Sequence, residues 1–155
     1  MNLDTAANDY EQATLAFLRE LEHVTSENID AHVARGWSAR QIIHHVADSE
    51  AQSYARLRRL IAEPPGSIIQ GYDEAAWAEC ELLGYRDLPV ESSLAVFAAV
   101  RRASLDIVQR LSPSDLELYG EHSESGRYSV ATWLDIYTRH PHDHGAQLVE
   151  ALASF

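Results

Sequence analysis

Lysine is absent from this chain: all 12 basic residues are arginine, against 24 aspartates and glutamates, for a net charge of -12. We read the missing lysine as codon bias in the genome. The acidic balance disfavours a nucleic-acid partner, because neutralising phosphates takes clustered cations. Cysteine occurs once, as Cys80, which excludes an internal disulfide and any cysteine-rich zinc motif. A metal in this chain would therefore rest on histidine and carboxylate. No apolar run reaches the roughly 18 residues that a membrane helix needs, so no membrane partner is expected. The opening "MNLDTAANDYEQ" has neither a basic nor an apolar leader segment, and a cytoplasmic location is the expectation. Walker A and Rossmann glycine patterns are missing. Cys80 and Ser123 lack the surroundings of a nucleophile.

What is present is helical periodicity. With 155 residues, 46% of them hydrophobic, the chain suits one globular domain over residues 1–155. Tyr10, Thr14, Phe17, Leu21 and Val24 recur at alternating steps of four and three. A second helix is predicted from Ser38 to Ala62, since Ser38 and Gln41 have capping-box spacing and Trp37 with Ile42 makes a hydrophobic staple. Its apolar face carries Ile42, Val46, Leu57, Leu60 and Ile61. Residues 63–89 form a long connection with a short helix at "YDEAAWAE". A third helix is predicted over Val90–Leu111, with Leu94, Phe97, Val108 and Leu111 inward. The segment "SPSDLELYGEHSESGRY" reads as irregular, with little strand signal. Ser129 caps a fourth helix that continues to Ala153. The fold class is all-α, an antiparallel four-helix bundle with long connections.

The chemistry concentrates in "YTRHPHDHGAQL". Trp133, Tyr137, His140, His144, Gln147 and Ala151 repeat at spacings 4, 3, 4, 3, 4, the seam that a bundle helix turns to its partners. His140 and His144 lie one turn apart on that seam, and His142 points about 200° away from His140. Burying two imidazoles without partners is costly. A metal would remove the cost, and so would hydrogen bonds between core histidines, and the residues alone leave both open. A metal site needs a third ligand. His44 and His45 are the candidates, and periodicity barely separates them. Asp48, one turn after His45, either orients an imidazole or is a solvated surface charge. Pro141 either kinks the last helix or breaks it. His23 and His32 read as surface or loop residues, and His122 sits in a polar loop. Tyr72, Asp73 and Trp77 either line the mouth of the site or serve as a cap and core aromatics.

"GWSARQIIHHVADSEAQSYARLRRLI", "YDEAAWAE" and "GRYSVATWLDIYTRHPHDHGAQL" together resemble the DinB superfamily, and within it the YfiT-like branch of metal-dependent hydrolases and bacillithiol S-transferases. The resemblance covers roughly residues 36–150. It implies a four-helix bundle with a metal held by His45, His140 and His144, which selects His45 over His44. Gln147 and Asp48 fall on recurring motif positions. The chain departs from the branch at "RHPHDH", where relatives commonly show W-H-G-x-H-H. The resemblance further implies a divalent metal, zinc or nickel before copper or iron, and a low-molecular-weight thiol such as bacillithiol or mycothiol acting on an electrophilic substrate. A homodimer is expected by the same analogy. The leading expectation is a metal-dependent thiol S-transferase. The alternatives are a hydrolase that activates water and a non-catalytic metal-binding stress protein.

Overall fold

A computed structural model describes residues 2–155. Its elements are α1 (Leu3–Leu21), α2 (Ala39–Ala62), β1 (Ile68–Ile69), α3 (Glu74–Glu79), α4 (Glu91–Val108), β2 (Tyr119–His122), β3 (Gly126–Ser129) and α5 (Val130–Leu152). Side chains define the starts of the long helices locally. Asn2 accepts from the backbone of Asp4 and Thr5 at the head of α1. Ser38 and Gln41 form the expected reciprocal capping box at α2, and Ser129 accepts from Thr132 N at 3.1 Å at α5.

The four long helices form a bundle in which α1 packs on α5 and α4, and α2 packs on α4 and α5. Their directions follow from the residues that meet. Tyr10 stacks on Trp133 and Phe17 lies beside Gly145, so α1 and α5 run parallel. His44 meets Ser93 and Glu50 meets Arg101, so α2 and α4 also run parallel. The other two neighbouring pairs are antiparallel: His45 meets His144 while Ser53 meets Trp133, and Phe17 meets Phe97 while Tyr10 meets Arg101. Parallel neighbours cannot be joined by a tight turn. The connection over residues 63–89 has to travel back along the bundle from the end of α2 to the start of α4, which accounts for its length.

The connections hold a small sheet that the residue pattern did not suggest. β1 pairs parallel to β2, Ile68 opposite Glu121 and Ile69 opposite His122. β2 and β3 form an antiparallel hairpin whose tight end uses Gly126 at φ +75°. Ile61, expected inward, is 36% exposed near the end of α2. Pro141 does not break α5, which runs unbroken from Val130 to Leu152.

Two apolar clusters fill the bundle. One contains Tyr10, Leu57, Leu105, Val108, Trp133 and Tyr137. The other contains Phe17, Ile42, Val46, Phe97 and Leu148. Between them, every long helix contributes polar side chains: Thr14 from α1, His45 and Glu50 from α2, Arg101 from α4, and His140 and His144 from α5. Among the described residues, no helix is long and apolar enough to cross a membrane.

Candidate metal centre

The polar layer brings His45, His140 and His144 together, with one ring nitrogen of each within 4.8 Å of the others. His45 is 1% exposed. Its Nε2 lies 3.2 Å from His144 Nε2. His144 Nδ1 faces Gln147 Oε1 at 2.8 Å. An amide oxygen only accepts, so Nδ1 carries the proton and His144 turns the lone pair of Nε2 toward His45. Two imidazole nitrogens on one tetrahedral zinc would sit about 3.3 Å apart. The other ring nitrogens point to the same use. His45 Nδ1 and both nitrogens of His140 are buried without hydrogen-bond partners. Among the described residues no fourth His, Cys, Asp or Glu joins the group. The donor set therefore fits a divalent cation with an open position, and three imidazoles suit zinc, nickel, copper or iron alike.

Burial also prepares the donors. It pushes the His45 imidazole down to about 3, with further lowering from His144 and His140 beside it. Burial pushes His144 down to about 4, with His140 adding to the effect and the Gln147 contact opposing it. Near neutral pH both rings are uncharged and carry lone pairs.

Of the two carboxylates on this stretch of α2, Glu50 rather than Asp48 lies beside a site histidine. Glu50 is fully buried, and its Oε1 lies 3.6 Å from His140 Nδ1, beside that ring but beyond hydrogen-bond distance. The same oxygen accepts from Arg101 Nη1 at 3.1 Å. Arg101 is 1% exposed and also donates to Thr14 Oγ1, to the Tyr10 carbonyl and, at 2.6 Å, to the Tyr137 carbonyl. That last contact explains how α5 tolerates Pro141. The proline has no N–H to offer the carbonyl four residues earlier, which is Tyr137, and Arg101 donates there instead.

The other expected site residues are distributed as follows. His44 is buried but faces α4, with Nδ1 2.8 Å from Ser93 Oγ and Nε2 3.2 Å from the Leu88 carbonyl, so it is a satisfied core histidine. Asp48 does not orient a histidine: its Oδ2 accepts from Tyr85 OH at 2.7 Å, tying α2 to the long connection. Asp73 is exposed and caps α3 through Ala76 N, so it does not line the site. The Tyr72 and Trp77 rings meet at a tilt with centroids 4.6 Å apart, and Tyr72 faces Ser49 one turn beyond His45. Gln147 meets His144 as its seam position suggested. Trp37 packs against the cluster around Ile42, and its ring lies 4.8 Å from that of His45, so it walls the site as well. His23, His32 and His142 are exposed, and His122 lies on β2 against Tyr128.

The family model of the DinB superfamily matches residues 9–148, and the chain belongs to that superfamily. It is 37% identical over 126 residues to a protein of Oceanobacillus iheyensis named "Putative metal-dependent hydrolase", covering 81% of this chain and 71% of that one. A Bacillus mycoides protein with the same name is 29% identical over 147 residues, covering 94% and 83%. Among solved structures, YfiT from Bacillus subtilis superposes with a TM-score of 0.84 at 24% identity, over 96% of this chain and 85% of that one. It is described as "a probable metal-dependent hydrolase with an unusual four-helix bundle topology". The four-helix bundle protein TT2238 superposes at 0.65 with 21% identity, covering 96% and 98%. Both likenesses establish the fold, and the parallel neighbours described above are this chain's form of it.

Proposed function

We propose that this chain holds a divalent metal on His45, His140 and His144 and is an S-transferase for a low-molecular-weight thiol. The observation that supports this most is an open three-histidine site whose buried and half-buried carboxylate neighbours on α2 are already engaged. Glu50 is held by Arg101, Asp48 by Tyr85, and Asp143 is exposed on α5. Attack by water calls for a positioned general base; Glu50 and Asp48 are already engaged, and Asp143 is an exposed side chain that nothing among the described residues holds in position. A thiol asks less, because a metal ion lowers the pKa of a water or thiol at its open position.

In the reaction we infer, the thiol proton leaves to solvent and the sulfur forms a bond to an electrophilic carbon. The leaving group departs with the bonding pair. The chain's own part is to hold three imidazoles together, His144 oriented through Gln147, and to keep bulk water out by burial. The test uses untagged protein loaded with zinc or nickel, with bacillithiol, mycothiol, coenzyme A or cysteine as the thiol and monobromobimane as the electrophile. Conjugation above background, lost in His45→Ala and His140→Ala, is expected. No conjugation with any thiol on either metal would overturn the reading.

A hydrolase is the second reading, and the names of the relatives favour it. Thiol-independent hydrolysis of p-nitrophenyl acetate by the metal-loaded protein, abolished in His140→Ala, would select it instead.

A further inference from the structure

One helical face carries hydrogen-bond donors that the three histidines do not use. His45, Ser49, Ser53 and Arg56 follow one another down the same side of α2. Arg56 is half-buried and makes no ion pair among the described residues. Its Nη1 donates to Tyr137 OH at 2.9 Å and its Nη2 to the Gln70 carbonyl at 3.0 Å. Its Nε–H is buried without an acceptor.

Around it lie more unmatched donors. Tyr72 places its ring 5.9 Å from the guanidinium carbon, and its buried hydroxyl is turned toward Ser49 without meeting hydrogen-bond geometry. The Tyr128 hydroxyl is buried and turned toward Arg56, but the two do not meet hydrogen-bond geometry. The Ser53 hydroxyl, one turn earlier on α2, is buried without a partner. Buried polar groups in folded proteins are nearly always matched, and here four unmatched groups converge. A guanidinium N–H can only donate, and the three hydroxyls each have a proton to give. None of the four meets a partner with hydrogen-bond geometry, although the hydroxyl oxygens could accept. An acceptor placed among them would take the guanidinium N–H and the hydroxyl protons together, and the one best suited to a guanidinium is an anion. In a chain of net charge -12, a bound anion needs such a local cation.

The location ties this cluster to the histidines. Tyr137, which accepts from Arg56, sits one turn before His140, and the two rings are 5.8 Å apart. We infer that Arg56, Tyr72 and Tyr128 bind a carboxylate of the same small molecule whose reacting group reaches His45, His140 and His144. This deepens the thiol reading and rests on it for the reacting end of the ligand, making that ligand a carboxylate-bearing thiol.

The test pairs mercaptocarboxylates having two to four methylenes with the matching mercaptoalcohols. Each is titrated into cobalt-loaded protein and followed by sulfur-to-cobalt charge-transfer absorption. At one or more tether lengths the carboxylate should bind about tenfold tighter or more than the alcohol, and the preference should fall to near unity in Arg56→Gln. Circular dichroism and metal content serve as folding controls. Should Arg56→Gln fail to fold, Tyr128→Phe carries the comparison and should reduce the preference about threefold, one hydrogen bond being lost. Equal affinities at every length in the wild type, or a preference that survives the substitution, overturn the inference. Absence of the absorption band with every thiol would instead defeat the thiol reading. The anion site is then decided by calorimetry of succinate with metal-free protein. Binding that Arg56→Gln abolishes keeps it, and no binding overturns it.

Discussion

Arg101 and Pro141 form a pair whose coupling can be measured. Pro141 deprives the Tyr137 carbonyl of its helical partner, and Arg101 Nη1 donates to that carbonyl at 2.6 Å. Arg101→Met removes this bond and the bonds to Thr14, Glu50 and Tyr10, leaving the Glu50 carboxylate buried and alone. Removing one partner of a buried ion pair costs about 3–5 kcal/mol, against a total stability of about 5–15 kcal/mol for a domain. Pro141→Ala returns an N–H to the carbonyl. In the wild type this adds little, because Arg101 already occupies it. In the Arg101→Met background it satisfies an abandoned buried acceptor, worth about 1–2 kcal/mol. Effects of the alanine on helix propensity and on the unfolded chain occur in both backgrounds and cancel in the cycle. The assay is urea unfolding of the four proteins in chelator. A Pro141→Ala effect that is the same in both backgrounds, within about 0.5 kcal/mol, would refute the account of how this helix tolerates proline.

The adjacent histidines on α2 should separate cleanly by elemental analysis: His44→Gln keeps about one metal per chain and His45→Ala loses it, and the reverse would reassign the ligand. Gln147→Leu removes the acceptor at His144 Nδ1, and metal affinity measured by chelator competition should fall about 10–100-fold; unchanged affinity would show that Gln147 does not orient the ring. The metal-free protein should lose stability as pH falls from about 7 to about 5. His45 and His144 sit at about 3 and about 4 in the fold, so below the ordinary value of about 6.5 the unfolded chain takes up protons that the fold refuses. His45→Gln should lessen the slope of urea midpoint against pH, and identical slopes would count against burial of a neutral His45.

The helices were legible because their signals are local. Ser38 and Gln41 sit three residues apart and bond each other, and Ser129 caps the turn it begins. The hairpin was not legible. β2 reads "YGEH", with no apolar alternation, and its parallel partner β1 lies some fifty residues earlier in the chain. Helix directions were hidden for the same reason. That α2 runs parallel to α4 depends on which faces meet in space, and the only trace of it in the sequence is the length of the connection between them.

At the site, the spacing of His140 and His144 carried over into geometry, because one helix sets both positions. The choice between His44 and His45 could not be made from α2 alone. Both are buried, and what distinguishes them is Ser93 on α4 against His144 on α5. Glu50 and Arg101 were missed as a network although their positions carry the same signal as the histidines. Ile42, Val46, Glu50, Ser53 and Leu57 step along one seam of α2, and Phe97, Arg101, Ser104 and Val108 along one seam of α4. A charge at a seam position has to find its partner in the core, and two opposite charges at matching depth on neighbouring helices find each other. The partner of a buried cation can therefore be sought in the seam registers of the other helices before any coordinates are known. In this chain Glu50 and Arg101 are the charges on those two seams, and the structure pairs them in the same layer as the three histidines.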